Sequence, residues 1–145
     1  MNLSEHFTLS EFINSQTASR LGIPNDPPVN LLLAIKSTAA GLEQVRSLLG
    51  NKPILISSAY RCPALNDAVH GQRASQHLLG EAADITCPAF GDVLKVMKTI
   101  ATSTIPYDQL IQEFGYDGWV HISFSERNRR QALVIDSKGT RPYYA

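Results

Sequence analysis

Of the four histidines in this chain, two stand where they could do chemistry. His77 lies in Ser75-Gln-His-Leu-Leu-Gly-Glu-Ala-Ala-Asp84-Ile, so an aspartate follows it seven residues later, with Gly80 between them where the chain can turn. Asp84 sits inside the apolar run Ala82-Ala-Asp-Ile85, and a carboxylate buried in such a strand must be paired or bound to a metal. His121 belongs to Trp119-Val-His-Ile-Ser-Phe124, where alternation puts Trp119, His121 and Ser123 on one face. Two imidazoles and a carboxylate are a common ligand set for one catalytic zinc ion, with a position left for water. Each residue also has a plainer use: a strand histidine as a hydrogen-bonded core residue, a strand aspartate as the cap of a turn. The residue pattern suggests a metal without establishing one. His6 reads as structural, and His70 as an exposed residue on the loop system of His77, at most a weak substrate contact.

The elements that must carry these residues follow from periodicity. Thr8-Leu-Ser-Glu11 is a capping box that opens a short helix through about Ser15, and Gly22 to Pro28 is too rich in turn residues to be helical throughout. From about Val29 to Leu49 apolar residues recur at helical spacing until Gly50 stops them. A buried strand is expected over 53–58, a short helix with proline at its first position over 63–69, and a polar stretch over 70–80. A strand at 82–86 precedes a second amphipathic helix at 92–103. Three strand-like runs, at 107–114, 119–124 and 131–135, finish the chain. Helices first and strands last argue for an α+β fold, a small antiparallel sheet flanked by helices, in a single domain over 1–145.

Composition narrows the partners. Thirteen basic residues balance thirteen acidic ones, so no global field draws the chain to nucleic acid or a membrane surface. Arg127, Arg129 and Arg130 are the nearest thing to a basic patch and read as a solvated strand edge. The N-terminus lacks the basic start and apolar run of a secretory signal, which predicts cytoplasmic synthesis. Cys62 and Cys87 lack CxxC spacing and read as reduced, structural residues. Nothing in the sequence calls for an oligomer, and a monomer is expected.

The spaced set Ser57-Ser-Ala-Tyr-Arg61, Ser75-Gln-His77-x-x-Gly80-x-Ala82-x-Asp84 and Trp119-Val-His121 resembles the zinc D-Ala-D-Ala carboxypeptidase family, with its Hedgehog/DD-peptidase-like fold. Glu5 to Phe12, Thr17 to Ile23 and Tyr107-Asp-Gln-Leu-Ile111 are similar to its small single-domain phage and prophage branch, so the likeness covers nearly the whole chain. The resemblance implies that His77, Asp84 and His121 bind one zinc. It also implies hydrolysis of a peptide bond in the peptide stem of peptidoglycan, by a lysin released to the wall or carried in a phage particle. The alternative is a zinc-containing module that binds peptidoglycan or protein without catalysis.

Such a peptidase needs a carboxylate that takes a proton from the attacking water and returns it to the leaving amine. Many relatives carry that acid three residues before the last histidine, where this chain has Gly118. Glu113 and Asp117 are the nearby candidates. If Tyr116-Asp-Gly118 is a three-residue hairpin loop, Gly115 pairs with Trp119 and Glu113 stands opposite His121, on the face of the metal. Asp117 is then a turn residue. Glu113 is preferred as the base, with Asp117 as the alternative. Arg61 is a candidate for holding the oxyanion or a substrate carboxylate, although a locally paired surface arginine is an equal reading. Ser75 either touches substrate or fixes its loop, Tyr60 lines the groove or joins the core, and Trp119 reads as packing.

Overall fold

The computed structural model describes residues 1–145. The capping box at Thr8 is formed: its hydroxyl accepts from the Glu11 amide, the Glu11 carboxylate accepts from the Thr8 amide, and helix α1 runs Leu9–Ile13. A second short helix, α2 (Gln16–Leu21), follows and ends on Gly22 in the left-handed conformation. The long helix α3 spans Leu32–Leu48 and buries Ile35, Ala39, Leu42 and Val45 along one stripe. Strand β1 (Leu55–Ser58), helix α4 (Pro63–Ala68), strand β2 (Ala82–Thr86) and helix α5 (Val93–Ala101) occupy the expected places. Strands β3 (Gln109–Glu113), β4 (Trp119–Ser123), β5 (Gln131–Asp136) and β6 (Gly139–Pro142) complete an α+β fold.

The six strands form one sheet in the order β1-β2-β4-β3-β5-β6. Its pairs are antiparallel except β3–β5, which is parallel, so the sheet is mixed where antiparallel pairing was expected throughout. The cause lies in residues 124–130, which carry the chain from β4 past the start of β3 to its far side. There Gln131 donates to the Asp108 carbonyl and Arg130 to that of Tyr107. Strand β6 was not anticipated: Gly139-Thr-Arg-Pro142 is exposed along its length and has no apolar alternation to reveal it.

The two faces of the sheet have separate tasks. Ala83, Ile85, Leu110, Val120 and Ile122 form one core cluster with the stripe of α3 and with Val93, Val96, Met97 and Ile100 of α5. Burial of each large aliphatic side chain there contributes roughly 1.5–3 kcal/mol. The opposite face displays Asp84, His121, Ile111, Glu113 and Trp119, brought abreast by the pairs Asp84–His121, Ile111–His121 and Glu113–Trp119. One face packs into the core and the other gathers the titratable side chains. No helix is long and apolar enough to cross a membrane.

Candidate metal centre

His77 is fixed from several directions. It sits in a short 3-10 turn, Gln76–Leu79, whose N-cap Ser75 accepts from the His77 amide at 3.2 Å. Gly80 closes the turn at φ 72°, and a Cβ there would press on Ile35 of α3 at 2.6 Å. The Thr38 hydroxyl donates to the Gly80 carbonyl at 2.7 Å, tying the turn to the same helix. The ring is set by its own Nδ1, 2.5 Å from the Ala59 carbonyl oxygen. A carbonyl only accepts, so Nδ1 carries the proton and Nε2 of neutral His77 presents a lone pair.

That lone pair faces Asp84. His77 Nε2 lies 3.2 Å from Asp84 Oδ1, and His121 Nδ1 lies 3.0 Å from the same oxygen. All three residues are buried: His77 is 2% exposed, Asp84 4% and His121 8%. Burial, which favours the neutral ring, pushes the His77 pKa down against the pull of Asp84. Burial would raise the Asp84 pKa; imidazoles that carry charge or donate toward the carboxylate outweigh it and hold the carboxyl well below the usual range. A neutral imidazole acceptor against an anionic carboxylate acceptor is repulsive unless a cation lies between them. The donor atoms fall within 4.8 Å of one another. A tetrahedral zinc with bonds of about 2.0–2.1 Å sets its ligand atoms roughly 3.3 Å apart, close to the separations from Asp84 Oδ1. The residues fit a metal.

Glu113 borders this group. Its carboxylate lies 4.0 Å from His121 Nδ1 and is 19% exposed. Burial raises its pKa, the Asp84 charge raises it further, and His121 and Arg61 oppose the rise. The Trp119 indole N–H, buried without a hydrogen bond of ordinary geometry, is near enough to oppose it weakly too. The register that puts Glu113 there differs from expectation. Glu113 pairs with Trp119 and Ile111 with His121, so the connection runs 114–118. Phe114 and Gly115 both take positive φ, at 61° and 65°, and a 3-10 turn spans Gly115–Asp117. The shift from the expected pairing is two residues, which preserves the face. Asp117 is exposed in that turn and lies outside the cleft wall.

Gly118, at the position where many relatives were expected to keep an acid, packs against backbone. A Cβ built there would fall 1.7 Å from the Glu113 carbonyl oxygen, so no side chain fits without moving the loop.

A cleft of about 690 Å³ opens over the group, lined among others by Arg61, His70, Ser75, Glu113, Trp119, Arg127 and Arg129. Arg61 is only 15% exposed. It donates to Ser58 Oγ and Asn66 Oδ1 and brings Nη2 to 3.5 Å from Asp84 Oδ2. It is therefore both locally paired and beside the group able to hold a metal. Ser75 borders the cleft while capping the His77 turn, and exposed His70 lies on the same wall. Tyr60 is 4% exposed within the core cluster and is absent from the cleft wall. His6 pairs with Glu43, away from the cleft.

Asp108 escaped the sequence reading. It is fully buried, and it accepts from the Arg129 backbone N–H and Nε at Oδ1 and from Arg129 Nη2 and Gln76 Nε2 at Oδ2. The available signal was an aspartate between Tyr107 and the apolar strand Leu110-Ile111, which once buried requires a cation. The arginines read as a solvated edge supply it.

A model of the peptidase M15 family matches residues 5–123, from ahead of α1 to the end of β4. The chain belongs to the peptidase M15 family, whose members are metal-dependent peptidases, and its buried His77, Asp84 and His121 are the group able to hold the metal. No curated protein matches the chain.

Proposed function

We infer that the protein is a zinc-dependent peptidase that hydrolyses peptide bonds in the stem peptides of bacterial peptidoglycan, in the manner of a D-Ala-D-Ala carboxypeptidase or endopeptidase. The observation that carries the metal chemistry is the pair of facing acceptors, His77 Nε2 and Asp84 Oδ1 at 3.2 Å, on an imidazole whose other nitrogen is committed to Ala59. Peptidoglycan as the substrate is supported by the motif resemblance around Arg61, His77 and His121. Release as a phage or prophage lysin, or carriage in a phage particle, is the setting in which a chain of this kind reaches the wall.

When bound, zinc supplies a Lewis acid that makes water nucleophilic near neutral pH and polarises a carbonyl. Glu113 accepts the proton of the attacking water on its carboxylate and delivers it to the leaving nitrogen. A pKa raised by burial moves it toward the range in which both transfers are efficient. Arg61, held by Ser58 and Asn66, offers its guanidinium to the substrate carboxylate or to negative charge developing on the carbonyl oxygen.

The test is zinc content together with release of amino groups from purified peptidoglycan. Glu113→Ala is expected to keep one equivalent of zinc and to lose about 10²- to 10⁴-fold in kcat. Asp117→Ala is expected to match the parent. Activity that survives the first change and disappears in the second would move the base to Asp117. Bound zinc with no wall hydrolysis by the parent would favour a binding module.

A further inference from the structure

The segment between β4 and β5 reaches the cleft beyond the residues that the family model matches. Two of its side chains, Arg127 and Arg129, line the cleft that holds His77, Asp84, Glu113 and His121. Both lean on Asp108. Arg129 makes the forked contact, with Nε to Oδ1 at 2.8 Å and Nη2 to Oδ2 at 2.9 Å. Arg127 Nη2 stands 3.3 Å from Oδ2. Gln76 fills a further acceptor site of the same carboxylate at 2.8 Å.

One carboxylate against two permanent cations leaves a formal charge of plus one. Neither arginine forms an ion pair with any other acid. Their side chains remain 56% and 38% exposed, so unused N–H donors of a rigid fork face solvent-accessible space. Within the cleft the acids are Asp84, committed to the ligand group, and Glu113. Arg61, Arg127 and Arg129 balance these two acids and Asp108 behind them, and a bound divalent metal would leave the cleft cationic. Arg127 also borders a neighbouring groove of about 680 Å³, but that groove carries Glu81 and Glu126, which repel an anion. A carboxylate is therefore drawn to the metal side of Arg127, whose Nη2 rests against the buried Asp108.

We propose that Arg127, backed by Arg129 and Asp108, binds a carboxylate of the substrate peptide and makes the protein selective for acidic stem peptides over amidated ones. The proposal rests on the peptidoglycan reading above. Arg127 holds substrate and Arg129 positions it. Asp108 holds both arginines and joins them to the strand that bears Glu113.

The experiment uses the zinc-loaded Glu113→Gln protein, so that binding is measured without turnover, and a series of stem peptides in which each carboxylate is amidated in turn. Titration calorimetry is expected to show one amidation weakening binding about tenfold, as loss of one charge-assisted contact would. Adding Arg127→Gln should weaken the free-acid peptide by a similar factor and abolish sensitivity to that one amidation, the signature of a coupled pair. Arg127→Lys should recover part of the affinity. Equal binding of all peptides by both proteins, or an equal loss for acid and amide when Arg127 is changed, would overturn the carboxylate site alone. Failure of every stem peptide to bind the zinc-loaded parent would overturn the peptidoglycan reading, and the site with it.

Discussion

Asp84 and Asp108 are both buried, both charged, and both held well below the usual carboxylate range, yet they are different kinds of site. Asp108 owes its low pKa first to the Arg129 side chain, then to the Arg129 amide and Gln76, which outweigh the cost of burial. The Arg129 guanidinium and amide cannot become acceptors. Asp84 is surrounded by two imidazoles, and one of these, with its proton spent on Ala59, turns a lone pair toward it. A carboxylate enclosed by guanidinium and amide donors is satisfied. One enclosed by groups that can become acceptors calls for a cation. The contrast separates an anchor from a metal site without reference to any relative.

The contrast can be broken most forcefully at Asp84. Zinc at about a thousand times its Kd should stabilise the parent by roughly 4 kcal/mol. Asp84→Asn should lose that increment and peptidase activity together, while its melting temperature without metal falls less than that of Asp108→Ala. Thermal melts with and without zinc check this, and a large loss of stability in the metal-free variant would make Asp84 an anchor like Asp108. Asp108→Ala should do the reverse. It leaves Arg129 without its buried partner and should cost about 2–3 kcal/mol, less than a wholly buried pair because Arg129 is partly exposed, with zinc stoichiometry unchanged.

Acid sharpens the same contrast. The folded pKa of Asp108 is depressed, so its contribution is fully present above the ordinary value of 3.8 and fades as pH falls below it. In metal-free protein the difference in stability between the parent and Asp108→Asn should therefore be constant from pH 7 to about pH 5. It should narrow toward pH 3, as read from urea midpoints. A more local effect is expected at Gly118→Ala, which must push the loop off the Glu113 carbonyl. A melting point lower by a few degrees, with a larger fractional loss of kcat than of zinc affinity, would show that the glycine serves the base and not the metal.

The sequence made the candidate metal group legible because its residue types are scarce and their settings opposed to them: an aspartate among alanines and a histidine in an apolar strand. Strand parity then carried Glu113 to the correct face although its pairing was displaced by two residues. The displacement arose from Phe114 at φ 61°, a conformation that an aromatic residue gives no reason to expect. Parallel pairing of β3 with β5 depends on a contact between Asp108 and residues twenty-one positions away, which no local pattern encodes. The edge strand β6 has no buried face and so leaves no periodic trace. Local chemistry was readable, and long-range partnership was not.

The bond from His77 Nδ1 to the Ala59 carbonyl has a consequence for how the site tolerates mutation. Because the acceptor belongs to the main chain, no substitution at position 59 can delete it. Only a change that displaces the chain just after β1 can do so, and Ala59 is 1% exposed, with little room for a larger group. A substitution at position 59 is therefore limited by volume and not by functional group. The orientation of a metal ligand is thereby entrusted to the part of the polypeptide that genetic change cannot rewrite.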